Sequence, residues 1–510
     1  MSIIKKITLI SNNKMHPLIY IFLFISLLIN NIYAQSKNTN NLTNSVLNIE
    51  KYTLSIPDEF LEKTMGFNTG MGSSITFKKQ ISNNHIQLYA LCDRGPNYTI
   101  AAPKDQSSTI IFPAPKFSPF IGVIDIVREK SAKLSEIISL KIDNQLISGL
   151  CTPSAQYKSE SLPTPTNLNF EYLPPDIRGV DPESLDFDKE NNFWIGDEYG
   201  PRIFKANSNG DIIDIYSPED ILPPILKNGP LNRGFEALAV APNGKIYTVM
   251  ESILDFNGKT KNTANFMRMI EIDPITYQTR MFAYPFDQNV YKNNLAVKIG
   301  DLAAIDDTHF LIIEQGMTTS GMRNRVYIID ITNATDITNF DLPQERISNE
   351  SIEEPYCIEK TLLIDPRQHD WPHEKLEGIA IIDEKTLAFT NDNDFGFSLE
   401  INNVSTQDVV GYTVDNTTQK LLRYGEETND KIEVILDTNA ETSIWLVNFE
   451  KPFFSESQSD DSEKNETTNF DFPLEELQPD MLQMNSSPVN KEYGNTNHIG
   501  RVAHLDAQGL

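Results

Sequence analysis

Acidic residues recur at both ends of a strand–turn–strand pattern in this sequence, and carboxylates so arranged could bind a cation or move a proton. The pattern occurs in four clear copies, which span Glu183 to Glu198, Glu236 to Glu251, Asp301 to Glu314, and Glu377 to Asp392. A looser copy spans Gly72 to Asp93. A strand, a tight turn and a strand form an antiparallel hairpin, whose two free ends lie side by side with Cβ atoms ~5 Å apart. Like-charged carboxylates at that distance require a cation, a shared proton or a basic partner.

The elements that position these acids are short strands. Apolar runs of four to seven residues, rich in Val, Ile, Tyr, Phe and Thr, alternate with turns, and no long helical stripe occurs. The clear copies start 53, 65 and 76 residues apart, somewhat longer than the ~40–50 residues of propeller repeats. We therefore predict an all-β chain that forms a β-propeller, with four-stranded blades around a central channel. Further strands near 444–447 and 501–505 favour six blades.

In such a ring the free hairpin ends meet at one mouth of the channel. We predict that the first acid of each copy is catalytic, as a metal ligand or a general base. These residues are Glu183, Glu236, Asp301 and Glu377. The second acids and a nearby Asn/Asp-rich loop offer the hard oxygen ligands that calcium prefers. The predicted metal ligands are Asp93, Asp197, Glu198, Glu251, Glu314, Asn391, Asp392 and Asp394.

Basic residues accompany the acids. We predict that five of them bind the anionic group of a substrate, arginine by bidentate contact. They are Arg94, Arg178, Arg202, Arg233 and Lys375. An alternative is that these pairs of acids and bases are structural salt bridges between blades, without a chemical role.

Composition excludes several classes of function. The 510 residues carry 71 acidic and 43 basic side chains, for a net charge of −28. Such a surface repels nucleic acid and anionic lipid, so we expect no nucleic-acid partner, and we expect a monomer. Three cysteines without a CxxC pair exclude a thiolate zinc site. The lack of a Gly-x-Ser-x-Gly elbow argues against the serine site of an α/β-hydrolase.

The first residues are typical of an export signal. Lys5, Lys6 and Lys14 precede an apolar run over 18–29, and Ala34 suits signal peptidase. The run of about 12 residues is shorter than the ~20 of a membrane span, although an uncleaved anchor is an alternative. We predict a signal peptide over 1–34, a flexible polar lead-in over 35–57, and a propeller over 58–510 with a disordered acidic insertion at about 455–495. The protein would then be exported, to the periplasm or the medium, with no membrane span after cleavage.

Seven phrases of the sequence, taken in order, carry a family resemblance. They are Asp93-Arg94-Gly95-Pro96-Asn97, Asp181-Pro182-Glu183-Ser184-Leu185, Asp197-Glu198-Tyr199-Gly200-Pro201, Asn232-Arg233-Gly234-Phe235-Glu236-Ala237-Leu238-Ala239, Gly300-Asp301-Leu302-Ala303, Lys375-Leu376-Glu377-Gly378-Ile379-Ala380 and Asn391-Asp392-Asn393-Asp394-Phe395-Gly396. Over roughly residues 65–400 the chain resembles the bacterial phytase-like family described as esterase-like activity of phytase. The resemblance implies a secreted or periplasmic propeller related to calcium-dependent phytases. Ser184 and Ala237 depart from it, because glycine is common there in the family.

These observations favour calcium-assisted hydrolysis of a small anionic phosphate ester or a related ester at the mouth of the propeller. One alternative is hydrolysis of lactones or carboxylic esters by the same metal site. Another is a non-catalytic envelope or binding propeller.

Overall fold

A computed structural model describes residues 45–455 except 62, 64, 68–69, 105, 154–162, 343, 348–354, 402–403, 406–410 and 438–439. The expected signal peptide, nearly all of the acidic insertion and the strand near 501–505 lie outside the described residues. Within them the chain is all-β, and its helical elements are short 3-10 turns at Asp58–Phe60, Pro224–Asn228, Phe256–Gly258, Asn294–Ala296, Pro366–His369 and Asp394–Gly396. No helix in this part of the chain is long and apolar enough to cross a membrane.

The strands, numbered along the chain, are β1 (Val46–Ser55), β2 (Met71–Ser82), β3 (His85–Cys92), β4 (Tyr98–Ile100), β5 (Thr109–Ile111), β6 (Phe120–Val127), β7 (Ser131–Ser139), β8 (Lys141–Ile142), β9 (Gln145–Leu146), β10 (Thr164–Thr166), β11 (Pro182–Phe187), β12 (Phe193–Asp197), β13 (Arg202–Ala206), β14 (Ile212–Tyr216), β15 (Phe235–Val240), β16 (Ile246–Met250), β17 (Met267–Ile272), β18 (Thr279–Tyr284), β19 (Val297–Ala304), β20 (His309–Thr318), β21 (Gly321–Asp330), β22 (Glu359–Ile364), β23 (Gly378–Asp383), β24 (Thr386–Thr390), β25 (Phe397–Ile401), β26 (Val404–Ser405), β27 (Tyr412–Asp415), β28 (Lys420–Arg423), β29 (Glu426–Glu427), β30 (Ile432–Leu436) and β31 (Ser443–Phe449).

Five four-stranded antiparallel units dominate the structure. Their strand orders are β2-β3-β6-β7, β11-β12-β13-β14, β15-β16-β17-β18, β19-β20-β21-β22 and β23-β24-β31-β1. The first strand of each unit contacts the first strand of the next, and β23 contacts β2. Residues of all five first strands line a narrow cavity of about 220 Å³. This propeller-like order brings the corresponding ends of the hairpins together.

The described residues form five such units, whereas the sequence pattern favoured six blades. The strand expected near 444–447 exists as β31, but it lies between β24 and β1 and so completes the fifth unit. β1 corrects the expectation of a flexible lead-in for residues 46–55, because Tyr52 pairs with Ile444 of β31 in an antiparallel ladder, whereas residues 35–44 lie outside the described part of the chain. The end of β1 turns to run parallel to β7, where Leu54 pairs with Ala132. The first strand of the chain therefore joins the last unit to the first.

Apolar side chains fill the spaces between neighbouring units. Tyr247 of the third unit, for example, packs against Phe310 of the fourth with ring centroids 4.6 Å apart. Strands β11, β15 and β23 are buried along most of their length, as expected for strands covered on both faces.

Three small sheets form an accessory layer that the sequence pattern did not reveal. Their orders are β10-β5-β4, β26-β25-β30 and β27-β28-β29, and they share one apolar cluster that includes Ile111, Leu399 and Val414. Thr109 Oγ1 donates to Asn416 Oδ1 at 2.7 Å, and Asn416 Nδ2 donates to the carbonyl of Ser107 at 2.8 Å. Segments from the first and last units are thereby joined beside the hairpin ends.

β-Bulges interrupt the first strands of four units at the same end. The register shifts between Met71 and Ser74, Pro182 and Ser184, Phe235 and Ala237, and Ile299 and Leu302. A bulge adds a residue to one strand and redirects the neighbouring side chains. The bulges of β11 and β15 contain Glu183 and Glu236, which are two of the predicted site residues.

Candidate functional site

A cavity of about 300 Å³ lies at the bulged ends of the units. Its charged and amide lining residues come from all five units: Asp93, Arg94, Asn97, Glu183, Glu198, Asn232, Glu236, Lys298, Lys375, Glu377 and Asp394. Tyr98 and Phe397 of the accessory layer form part of its wall. The structure therefore brings together three of the four acids expected to be catalytic, and we call this space the acidic cavity. The functional roles of these residues remain predictions.

One carboxylate triad of this site consists of Asp93, Asp181 and Glu183. One oxygen from each residue lies within 4.8 Å of the others, and all three side chains are buried. Arg94 Nη1 contacts Asp181 Oδ2 at 2.6 Å. Burial, and then the charge of Asp181, raises the pKa of Glu183 well above its usual value. If all three carboxylates were ionised, they would carry more negative charge than the Arg94 guanidinium balances.

A second triad consists of Glu198, Glu236 and Glu251, with the same 4.8 Å spacing. Glu251 Oε1 contacts Arg233 and lies 2.6 Å from Lys298 Nζ. The Oε2 atoms of Glu236 and Glu251 are buried and accept no hydrogen bond from any described residue. Burial, and then the charge of Glu251, raises the pKa of both Glu198 and Glu236. Burial also acts on the pKa of Glu251, but Lys298 and Arg233 outweigh it and lower that pKa.

The donor set of both triads fits calcium. Each triad offers carboxylate oxygens alone, and calcium prefers such hard oxygen ligands. A buried carboxylate oxygen without a partner is costly, and a cation bound between the three side chains would remove that cost. The residues that would hold calcium are Asp93, Asp181 and Glu183 in one triad, and Glu198, Glu236 and Glu251 in the other. A proton shared between Glu198 and Glu251 is the alternative.

Lys375 organises the third group of acids. Its Nζ lies 2.5 Å from Asp392, 2.9 Å from Asp394 and 3.7 Å from Glu377. Burial raises the pKa of Glu377 to about 7, although Lys375 opposes the shift. Gln315 Nε2 also approaches Glu377 Oε1, at 3.4 Å. Glu377 therefore exchanges a proton near neutral pH without belonging to either triad.

Asp301 does not line the acidic cavity, which corrects its predicted place among the catalytic acids. The pairs Ser184–Gly196 and Gly378–Thr390 show that Asp301 corresponds to Ser184 and Gly378, one residue further along than Glu183 and Glu377. Its oxygens accept hydrogen bonds from Ser74 Oγ at 3.1 Å, the amide of Ile379 at 3.0 Å and its own neighbour. Asp301 ties three units together.

Asp197 and Glu314, two of the predicted metal ligands, also do not line the acidic cavity. Asp197 pairs with Pro182 and Glu314 pairs with Ile299, and the next residue along each strand is directed to the opposite face because side chains alternate. Asp197 accepts from Arg202 Nε at 2.7 Å. The following residues, Glu198 and Gln315, take the positions toward Glu236 and Glu377. Sequence reasoning missed Gln315 because it sought only acids.

The Glu314 carboxylate is held by three side chains outside the acidic cavity. It contacts Lys360 Nζ at 2.6 Å and accepts from the hydroxyls of Tyr284 and Tyr291. Asn391, another expected ligand, accepts from the amide of Ser443 at 2.7 Å and holds the backbone there. Both side chains therefore have structural partners in the described part of the chain.

Three of the five expected substrate-binding cations do not line the acidic cavity. Arg178 is a third exposed and pairs with Asp176 at 3.2 Å. Arg202 is engaged by Asp197, and Arg233 reaches the second triad only through Glu251. Arg94 and Lys375 do line the cavity, together with two residues outside the predicted set, Asn232 and Lys298. The three cysteines, Cys92, Cys151 and Cys357, are free.

Known proteins resemble this chain to different degrees. An uncharacterized secreted protein of Arthroderma benhamiae is 24% identical over 207 residues, which cover 31% of this chain and 40% of that protein. The chain thus spans less than half the length of that relative. A luciferin-regenerating enzyme aligns at 9% identity and a TM-score of 0.31, covering 80% of this chain and 98% of that one. Virginiamycin B lyase of Staphylococcus aureus aligns at 10% identity and a TM-score of 0.25, covering 67% and 95%.

TM-scores as low as these two support no inference about this chain. The family match is of a different kind, because it spans residues 70–395 and hence more than half of the sequence. The matched range contains both triads, together with Lys375, Glu377 and Asp394. The chain belongs to the phytase-like family, described as esterase-like activity of phytase.

Proposed function

We propose that this protein is a calcium-assisted hydrolase of phosphate esters and that the acidic cavity is its active site. The observation that carries the proposal is the second triad, in which the Oε2 atoms of Glu236 and Glu251 are buried without a hydrogen-bond partner in the described residues. A protein selected for stability alone would avoid that arrangement. Membership of the phytase-like family supports a hydrolase.

The residues of the acidic cavity would have different roles in the proposed reaction. Bound calcium would polarise the ester oxygen and lower the pKa of an attacking water. Glu377, with a pKa of about 7, is suited to accept the proton of that water at its carboxylate. Lys375 and Arg94 border the same cavity and orient the anionic group. Lys298 keeps Glu251 ionised, so that this carboxylate remains a ligand.

Hydrolysis of lactones or carboxylic esters is a second candidate that one observation favours. Each cation that lines the acidic cavity already has a carboxylate partner: Arg94 has Asp181, Lys298 has Glu251, and Lys375 has Asp392. A neutral ester needs no free cation, so the same site suits it. The two candidates share the triads and Glu377 and differ only in the charge of the substrate.

Turnover by the full chain tests the proposal. A panel of phosphate esters and lactones is assayed with calcium and with EDTA, for the wild type, Glu377→Gln and Glu374→Gln. Glu377→Gln should lower kcat about 10²- to 10⁴-fold, as expected for loss of a general base. Glu374 has an exposed side chain, so Glu374→Gln should retain full activity. Calcium-independent turnover, or full activity of Glu377→Gln, would contradict the proposal, and lack of turnover of any ester would favour a binding protein.

We also propose that the five units are the blades of a closed propeller and that the mature protein is an exported monomer. The cyclic contacts of the first strands support the ring, and the pattern of residues 1–34 supports export. N-terminal sequencing of the secreted product should begin at Gln35. Light scattering should give the mass of one chain, and a retained N-terminus or a dimer mass would contradict these proposals.

A further inference from the structure

A second cavity, of about 460 Å³, adjoins the acidic cavity. Arg94 and Asn232 line both spaces. The second cavity has no carboxylate among its described lining residues, and Arg94 is its single cation. Its wall includes Ile110, Leu231 and Tyr199, together with several prolines. The two adjoining spaces therefore differ sharply in polarity, and we call this one the apolar cavity.

The residues at the boundary between the two cavities are hydrogen-bonded to both triads. Arg94 contacts Asp181 of the first triad and donates to Asn232, while Asn232 Nδ2 donates to Glu198 of the second triad. The Arg94 guanidinium lies over the ring of Tyr199, with Cζ 5.4 Å from the ring centroid. The Tyr199 hydroxyl donates to the carbonyl of Gly149 at 2.6 Å, which fixes the ring. The apolar cavity thus has a fixed position relative to the carboxylates.

The charge of the acidic cavity restricts what can occupy it. Six acids line it against three cations, and each of those cations is paired with a carboxylate. A ligand with many negative charges needs many free cations to hold it, and these three are already engaged by carboxylates. A ligand with one small anionic head and an uncharged remainder makes a smaller demand on these cations than a ligand with many charged groups.

We propose that the substrate is an ester of an apolar alcohol or phenol, whose organic group lies in the apolar cavity while its hydrolysable head lies in the acidic cavity. The proposal deepens the proposed function and rests on it for the chemistry of the head. The apolar walls favour an aryl or alkyl group because its burial removes apolar surface from water. Arg94 and Asn232 mark the point at which the head and the organic group join.

Binding of non-hydrolysable probes tests this proposal independently of turnover. Calorimetry compares phenylphosphonate with methylphosphonate, both with calcium, on the full chain. We expect phenylphosphonate to bind roughly tenfold more tightly, as a modest apolar contact provides. Leu231→Asp places a charge in the apolar cavity and should abolish this preference. Leu362→Asp, at an exposed position of β22, is the matched control and should retain it.

The outcomes separate the two proposals. Equal affinity for the two probes in the wild type, or a preference that survives Leu231→Asp, overturns the assignment of the apolar cavity. If Leu231→Asp does not fold, Thr99→Trp fills the same cavity from an exposed position and must likewise reduce the preference. A preference for phenylphosphonate without turnover of any ester would leave the apolar cavity standing and overturn the hydrolase.

Discussion

Replacing Glu236 by glutamine should change the stability of the protein in opposite directions with and without calcium. Glu236 belongs to the second triad, whose ligand oxygens lie within 4.8 Å of one another. Without a cation the carboxylates repel each other, so an uncharged glutamine relieves repulsion. With calcium the same change removes a ligand, so the stabilisation that calcium provides through the second triad should largely disappear.

The magnitude follows from the spacing. At the upper limit of 4.8 Å between the ligand oxygens, two unit charges repel by about 3.5 kcal/mol at an effective dielectric constant of about 20. Burial raises the pKa of Glu236, so partial protonation already relieves some of that repulsion, and we expect a gain of about 1–3 kcal/mol in EDTA at pH 8. Calcium at about 100 times its Kd should stabilise the wild type by about 2.7 kcal/mol. In Glu236→Gln we expect the part of the increment that comes from the second triad to fall below about 1 kcal/mol, while calcium at the first triad still stabilises both proteins.

Urea denaturation at pH 8, in EDTA and in calcium, measures both effects. Glu314→Gln is the matched control, because Glu314 is equally buried but accepts from two tyrosines and contacts Lys360. It should lose stability equally in both media. If Glu236→Gln is less stable than the wild type in EDTA, or if calcium stabilises both proteins alike, the second triad is not a metal site.

Three further predictions concern other parts of the molecule. Asp301→Ala should cost about 2–4 kcal/mol with or without calcium, because it leaves Ser74 Oγ and the amide of Ile379 without their acceptor; urea denaturation measures this, and a calcium-dependent loss would place Asp301 in the site after all. In EDTA, the free energy of unfolding should fall by up to about 3 kcal/mol as pH rises from about 4.5 to about 7, because the folded protein holds the proton of Glu377 over that range of pH. Glu377→Gln should flatten this part of the pH profile, and an unchanged slope would refute the raised pKa of Glu377. Asn416→Ala should speed hydrogen exchange in β4, β5 and β27 without affecting β11–β14, since it removes the ties within the accessory layer; uniform exchange across the chain would contradict this.

The sequence predicted the hairpins well because their information is local. Alternating apolar residues, turn residues and terminal acids all lie within about 20 residues of one another, and β11–β12 and β15–β16 have the expected strands and turns. The meeting of Glu183, Glu236 and Glu377 in one cavity followed from the repeat. The sequence repeat was therefore sufficient to predict the main outline of the site.

Register is where the sequence was insufficient. An acid one position out of phase faces the other side of the sheet, and the bulge of β19 contains two residues where that of β11 contains one. Asp301 consequently looks like Glu183 in sequence but corresponds to Ser184. Asp181 was missed for a related reason, because the residues two positions before Glu236 and Glu377 are Gly234 and Lys375, so no repeat marks it.

The accessory layer was missed because its contacts are not local. Thr109 and Asn416 are hydrogen-bonded although 307 residues separate them. Neither segment has a repeat or a long apolar run that would signal a partner. Only the fold brings the insertions of the first and last units together.

The position of β1 has a consequence for how the molecule is made. Val46 pairs with Phe449, so the earliest described strand must wait for the latest one to emerge before either edge is covered. Until then β24 and β7 present open edges, which invite pairing with other chains. Contacts that span almost the whole described chain also make folding slow. The chain should therefore be most prone to aggregation until β31 is complete, and yields of folded protein should fall steeply when residues 46–55 are trimmed.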